Sequence, residues 1–600
     1  MAMDDNIAVT FLGGLGDIGR NCAVIESKDQ ILLLDCGQLF PDEAMPGAHS
    51  VLPDFSYLND RFEKIVGCIV THGHEDHIGA LSHALRLAEF PIYGSAFTLG
   101  MVRHRLDEVS LMGRTELIPI QDGETLSIGD FECEFLPVTH SIPRGLISAI
   151  RTSQGLILHS SDFKLDLNPI DGRLTNLKRI NELSKEPGIR LLLCDSTNAE
   201  IPGESISESA VGVELKKVFH DNEGKRIITA CFSSHIHRVQ QIVDIAVSQG
   251  RKVATLGFSM RRNVGLARDL GILALAEDDL IDISEVNSYP PEKICVISTG
   301  SQAESRSSLF LAANGKGRWL EIGTEDVIIL SSRTIPGNEK RIGRMINYLN
   351  RRGANVISAD FLNIHTSGHG HQDELTSLHQ AAKADWLVPV HGEYRHLIAH
   401  RNLAVGNGMS AERVLVPVDG DQVILGKDGL TLKRKVCEGS YVFAQGALIE
   451  REHGVFAERI TLGEEGCVVI SLTVDLHDCT IVAGPTVISK GWVNNGIASD
   501  YEREIMGLVT EGISKMLNGG GQINPEGISQ KVRRIAGGFD GAAKNLLFEE
   551  ILNKFKKERK LFNHFISNPN EVYDVLAKGA EKAKKIANSV LIRVRKKIGY

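Results

Sequence analysis

The stretch that most limits what this chain can fold into is Thr71-His72-Gly73-His74-Glu75-Asp76-His77, set directly after the apolar run Ile65–Val70. Three imidazoles and a carboxylate crowded at the mouth of a strand cannot all be satisfied as core groups, since each buried polar atom needs its own partner. Neutral imidazole nitrogens and carboxylate oxygens are the donors that zinc and manganese favour. A tight loop lets His72/His74 and Asp76/His77 point at two adjacent ions. Two ions need more ligands than one loop supplies, and other strand-like runs end in suitable residues. His140 follows Phe135–Val138, Asp162 follows Leu156–His159, and His391 follows Trp386–Val390 in Pro389-Val390-His391-Gly392-Glu393. Singly, each reads as readily as a cap or turn residue. Together with the 72–77 loop they complete two coordination shells.

Up to about residue 200, short β-branched runs such as Ile31–Leu34, Ile65–Val70 and Leu191–Leu193 end in polar clusters, the rhythm of sheets with helices packed outside. From about 220 to 350 the rhythm becomes strand then helix (Arg226–Phe232, Lys252–Phe258, Lys293–Ser298, Asp326–Ser331), which predicts a separate doubly wound α/β domain. Asn355–Ala359 and Trp386–Val390 resume the earlier style, so the second domain reads as inserted into the first. Residues 430–450 read as a linker, and Cys467–Val474 with Thr480–Ile488 begin a small α+β module.

A net charge of −10 argues against a general polyanion-coating protein, because non-specific nucleic-acid affinity comes from neutralising phosphates with Lys and Arg. Attraction to a nucleic acid would have to be local. The basic run Lys554–Lys560 reads as one solvated helix face. The cysteines stand singly with no C-x-x-C pair, several inside apolar runs (Cys68, Cys194, Cys295), as reduced, buried thiols do. With no basic segment before an apolar stretch at the start, and no run of about 18 apolar residues, the expectation is a cytoplasmic protein without membrane contact.

H-x-H-x-D-H followed by a lone His, a lone Asp and a final His resembles the metallo-β-lactamase superfamily, and the inserted domain resembles its β-CASP nucleases. More narrowly, His72-Gly-His-Glu-Asp-His77, Ser160-Ser161-Asp162-Phe163-Lys164, His365-Thr366-Ser367-Gly368-His369-Gly370 and Pro389-Val390-His391-Gly392-Glu393 resemble the ribonuclease J family, over roughly residues 7 to 535. The resemblance implies an α/β fold: a metallo-β-lactamase αββα sandwich (1–200 and 356–430) and an inserted doubly wound β-CASP domain (201–355). A linker (431–455), a small α+β C-terminal module (456–536) and a helical tail (537–600) complete the expectation. It also implies two divalent metal ions, zinc first, with manganese or magnesium as alternatives. One would be held by His72, His74, His140 and Asp162, the other by Asp76, His77, His391 and a bridging Asp162. Two such cations ionise water at neutral pH and neutralise charge on a phosphate.

Asp35, after Ile31–Leu34, matches the superfamily's first acidic motif and reads as a support that fixes the metal loop rather than as a ligand. Expelling a ribose 3′-oxygen needs a proton donor. His369 is the candidate by resemblance, with Asp195 holding its tautomer, and Asp76 joins them as a catalytic residue. Ser233-Ser234-His235-Ile236-His237-Arg238 follows a strand and opens a helix, where backbone N–H groups meet anions. His365, Thr366, Ser367, Gly368 and His369 would supply the facing wall. The family likeness carries RNA 5′-phosphate and backbone binding to these segments, with Ser233, Ser234, His235 and His237 on the first.

Gly14-Leu15-Gly16-Asp17-Ile18-Gly19 fits a dinucleotide-binding fingerprint. However, Cys22–Ile25 and Ile31–Leu34 flank Ser27-Lys28-Asp29-Gln30 as a hairpin, not the helix such a site requires. From about 537 to 600 the Lys-rich sequence instead resembles the C-terminal end of a bacterial tryptophanyl-tRNA synthetase, without its nucleotide-binding parts. The reading is an RNA-cleaving hydrolase, a 5′-to-3′ exonuclease with endonuclease activity in RNA maturation, including rRNA processing, and decay. It would be a homodimer or homotetramer, with RNA-decay or ribosome-associated proteins as candidate partners. Rival readings are a DNA-directed β-CASP nuclease, a metal-dependent small-molecule hydrolase, and a catalytically dead RNA-binding scaffold.

Overall fold

A computed structural model describes residues 5–335, 337–445, 448–450, 454–475, 477–519, 564 and 568–598. The basic run 554–560 and the segment 520–563, which holds much of the C-terminal module's end and the tail's start, lie outside them. The chain divides into two compact units, 1–453 and 454–600.

In the first unit an eight-stranded sheet faces a six-stranded one. The first runs, in spatial order, Gly429–Lys433, Gln422–Gly426, Ile7–Gly13, Cys22–Ser27, Gln30–Leu34, Ile65–Ile69, Ile92–Ser95 and Leu117–Ile120. The second runs Trp386–Val390, Ile189–Asp195, Gly155–His159, Leu146–Thr152, Phe131–Pro137 and Thr125–Ile128. Strand side chains alternate between faces, so the apolar runs feed two cores at once. Leu32 and Leu34 meet Ile157, Leu191 and Leu193 between the sheets. Ile31 and Leu33 turn outward beneath helices, as Leu192 and Cys194 do on the other side. Each such fully buried aliphatic side chain contributes about 1.5–3 kcal/mol. The Cys22–Ser27/Gln30–Leu34 hairpin read from the sequence is present, with Ser27 opposite Gln30.

An inserted all-parallel sheet runs Leu280–Ile281, Lys252–Leu256, Ile294–Ser298, Arg226–Ala230, Asp326–Leu330 and Asn355–Ser358. Asn355–Ser358 is a correction: it had read as a return to the first domain. Its four residues are too few to reveal their neighbour, and they close the edge of the inserted sheet, parallel to Asp326–Leu330. Residues 431–455 are likewise more than a linker. Gly429–Lys433 pairs with Gln422–Gly426, and Val442–Gln445 pairs with Ser50–Leu52. The burial of Phe443 anchors this short strand, a contact no local pattern announces.

The second unit contains the helix Gly454–Glu465 and the hairpin Cys467–Asp475/Thr480–Lys490. The helix Asn495–Asn518 buries Ile505, Val509 and Ile513 with Val487. A helix also spans Pro569–Ile598. No helix among the described residues is long and apolar enough to cross a membrane.

Candidate metal centre

Parallel strands of both sheets end at one place. Gln30–Leu34 delivers Asp35 and Ile65–Ile69 delivers the 71–77 loop; the parallel trio Gly155–His159, Ile189–Asp195 and Trp386–Val390 delivers Asp162, Asp195 and His391. Ligands gather at the carboxyl ends of parallel strands because there the backbone leaves the sheet and side chains can converge. Asp35, Ser161 and His391 take left-handed backbone conformations (φ 58°, 56° and 53°), a strain that surrounding structure must hold in place. Gly37 lies so close that a β-carbon would sit 1.6 Å from the Asp76 carbonyl oxygen. The Gly14–Gly19 segment packs beside the centre too, where Gly14 accepts a hydrogen bond from the His391 amide (3.0 Å).

Three overlapping groups of potential ligand atoms result, each with its atoms within 4.8 Å of one another: His72, His74, His140 and Asp162; Asp76, His77, His391 and Asp162; and Asp162, Asp195, His369 and His391. One carboxylate oxygen, Asp162 Oδ2, lies 3.2 Å from His77 Nε2, 3.5 Å from His391 Nε2, 3.6 Å from His72 Nε2 and 3.8 Å from His140 Nε2. His74 Nδ1 stands 3.0 Å from His72 Nε2 and 3.2 Å from His140 Nε2.

The far nitrogen of four of these rings is occupied. The Thr71 hydroxyl donates to Asp35 (3.0 Å) and so accepts from His72 Nδ1–H (3.0 Å). Asp35 Oδ2 accepts from His77 Nδ1–H (2.8 Å), and the Gly368 carbonyl from His140 Nδ1–H (2.7 Å). The Thr197 hydroxyl donates to Asp195 (2.8 Å) and accepts from His391 Nδ1–H (2.7 Å). Each bond turns Nε2 toward the centre, the orientation a metal ligand needs.

The electrostatics also fit a cation. Burial lowers His72 and His140 well below the ordinary imidazole value and His74 to about 4, which keeps them neutral. Burial likewise opposes charge on His77, but Asp162 and Asp76 outweigh it and raise its pKa. Asp162 is desolvated, yet His391 and His77 hold it well below the carboxylate range. The carboxylates therefore draw positive charge into the space that two divalent ions would fill.

His369 adjoins the centre, with Nδ1 donating to Asp195 Oδ2 (2.8 Å) and Nε2 4.0 Å from Asp162. Burial lowers its pKa, and Asp195 and Asp162 more than compensate, raising it to about 9.

The 233–238 segment does open a helix, Ile236–Ser248. Its histidines, however, already have carboxylate partners: His235 Nε2 meets buried Glu208 (2.9 Å) and His237 Nε2 meets Asp171 (3.2 Å), while Ser233 and Ser234 stay half-buried. On the facing wall Thr366 donates to the Ile206 carbonyl (2.7 Å), Ser367 accepts from Asn198 (2.8 Å), and buried His365 Nδ1 has no hydrogen-bond partner among the described residues.

Residues 8–167 match the beta-lactamase superfamily domain, 224–349 the ribonuclease J beta-CASP domain, and 356–417 the Zn-dependent metallo-hydrolase RNA specificity domain. A Ribonuclease J from Mycolicibacterium smegmatis is 38% identical over 545 residues, covering 89% of this chain and 94% of its own length. The chain belongs to the ribonuclease J family. A Helicobacter pylori Ribonuclease J (34% identity over 565 residues, 93% of this chain and 79% of that one) and Ribonuclease J 1 of Streptococcus pyogenes (36% over 501 residues, 83% and 89%) agree. As a ribonuclease J family member the chain stands with metal-dependent ribonucleases, on a metallo-β-lactamase fold with an inserted β-CASP domain.

Sequence reasoning missed several residues around this ribonuclease J-type site. Thr197 and Asn198 lie in the turn after Asp195, where Thr197 orients His391 and Asn198 donates to the His369 carbonyl (2.9 Å). Asn21 stands 3.1 Å from His77 Nε2. Glu208 and Arg238 pair at 2.7 Å in the buried cluster behind the 233–238 segment. A single polar residue in a turn or helix carries no periodic signal, so only its partners could reveal it.

Proposed function

We propose that the chain hydrolyses RNA phosphodiester bonds as a 5′-to-3′ exonuclease with endonuclease activity, in RNA maturation and decay, using two divalent ions, zinc first. His72, His74, His140 and Asp162 would hold one, and Asp76, His77, His391 and the shared Asp162 the other. The observation that carries this reading is the single Asp162 oxygen set 3.2–3.8 Å from four imidazole nitrogens. When bound, the ions supply a nucleophilic water at neutral pH and offset charge on the phosphate.

The protein's own groups do the rest. Asp195 fixes the His369 Nδ1–H, so Nε2 faces the centre and delivers its proton to the departing 3′-oxygen. Ser233 and Ser234 face the RNA backbone with His365, Thr366, Ser367 and Gly368. His365 contributes a buried nitrogen that has no partner among the described residues. His235 and His237 act by positioning, through Glu208 and Asp171. With a chain charge of −10, these local groups and the ions supply the attraction.

A time course on end-labelled 5′-monophosphate and 5′-triphosphate RNA, beside matched DNA, tests the reading. Processive release from the 5′-monophosphate end of RNA is expected, with His77→Ala inactive. Preferential DNA hydrolysis, or unchanged cleavage by His77→Ala, would overturn it.

A further inference from the structure

Behind the strand that carries Asp195, a second set of soft donors faces away from the centre. Cys194 points into the helix-covered core. His379, on the helix Gln372–Ala382, and His400, on the helix Tyr394–Gly406, close over it. Their ligand atoms lie within 4.8 Å of one another. We propose that Cys194, His379 and His400 form a third metal site, taking one thiolate-preferring divalent cation such as zinc.

Three observations support the proposal. The two Nε2 atoms stand 3.0 Å apart, within the spacing of roughly 3.0–3.4 Å that two nitrogens about 2.0–2.1 Å from one ion adopt. The histidines of the catalytic centre show the same spacing, 3.0 and 3.2 Å. Second, His400 is held as those rings are. The Ser196 hydroxyl donates to the Cys194 carbonyl (3.2 Å) and therefore accepts from His400 Nδ1–H (2.9 Å), which leaves the Nε2 lone pair facing the site. Third, His379 lines an open cavity of about 370 Å³ with Thr376, Gln380, Lys383 and Asn407, which gives an ion a path to that ring.

The location gives the site a means of acting on catalysis. Cys194 precedes Asp195, and the Ser196 amide bonds the His391 carbonyl (3.3 Å). An ion gripping Cys194 and His400 therefore pulls on the turn that seats Asp195, Thr197 and His391. This second part rests on the RNA-cleaving reading; the binding site does not.

Cobalt(II) titration of chelator-stripped full-length protein separates the two. A thiolate-to-cobalt charge-transfer band is expected, which the imidazoles and carboxylates of the catalytic centre cannot produce. It should vanish in Cys194→Ser and weaken at least roughly tenfold in affinity in His379→Gln, a change at a part-exposed position that leaves the fold intact. No band in the wild type would overturn the site, leaving a plain His379–His400 hydrogen bond. So would a band that persists in Cys194→Ser, which would belong to another cysteine such as Cys437, Cys467 or Cys479. Excess zinc should slow RNA cleavage severalfold more in wild type than in His379→Gln; equal inhibition of both would overturn the coupling alone.

Discussion

The metal centre and the cluster around Glu208 both bury histidines against carboxylates, but they balance charge in opposite ways. Around Glu208 the cations are built in: Arg238 binds it at 2.7 Å, Lys164 lies 4.0 Å away and also meets Asp166 at 3.4 Å, and Arg238 and Lys164 are fully buried. Around Asp162 and Asp76 every ion pair among the described residues is to a histidine. A cluster that contains its own permanent cations is complete and serves as structure. One whose carboxylates face only imidazoles is completed from outside, by protons or by metal.

The largest effect expected from breaking this contrast is on stability. Glu208→Gln leaves the buried Arg238 guanidinium without its carboxylate, while Lys164 keeps Asp166 (3.4 Å), and should cost about 3–5 kcal/mol in denaturant unfolding. The pH dependence follows. Burial pushes Glu208 up, but Arg238 and His235 outweigh it and hold it well below 4.5. A depressed folded-state pKa means that the unfolded chain protonates first. The stabilisation is therefore full above pH 4.5 and lost as pH falls below it, and Glu208→Gln should flatten that acid limb of the unfolding profile.

Next comes Asp76→Ala. RNA cleavage should fall more than about a hundredfold, or about 2.7 kcal/mol of barrier, while unfolding in chelator changes little; the reverse pattern would mean that the centre is structural. Thr197→Val, which frees His391 Nδ1, should weaken metal binding by roughly 10–100-fold, read by competition with a chromogenic chelator. The smallest effect belongs to Asn198→Ala. Losing its bonds to Ser367 and the His369 carbonyl should cost about 0.5–1.5 kcal/mol in thermal unfolding, with metal content unchanged.

Much of this was legible because the strand ends are punctuated by His and Asp after apolar runs, a pattern two residue types suffice to write. What could not be read was direction. His235 looked like an anion contact at a helix start, yet its ring turns toward Glu208, 27 positions away. Val442–Gln445 looked like a connection because four residues carry too short a pattern to reveal pairing with Ser50–Leu52.

The amino-acid sequence alone specified which donors exist and that they terminate strands. Tertiary structure decided which nitrogen of each ring is free. That choice depends on hydrogen-bond partners contributed from afar: Asp35 to His77 across 42 positions, Thr197 to His391 across 194, and Gly368 to His140 across 228. An imidazole presents either nitrogen with nearly equal ease until a neighbour takes one of them, and that neighbour arrives only with the fold.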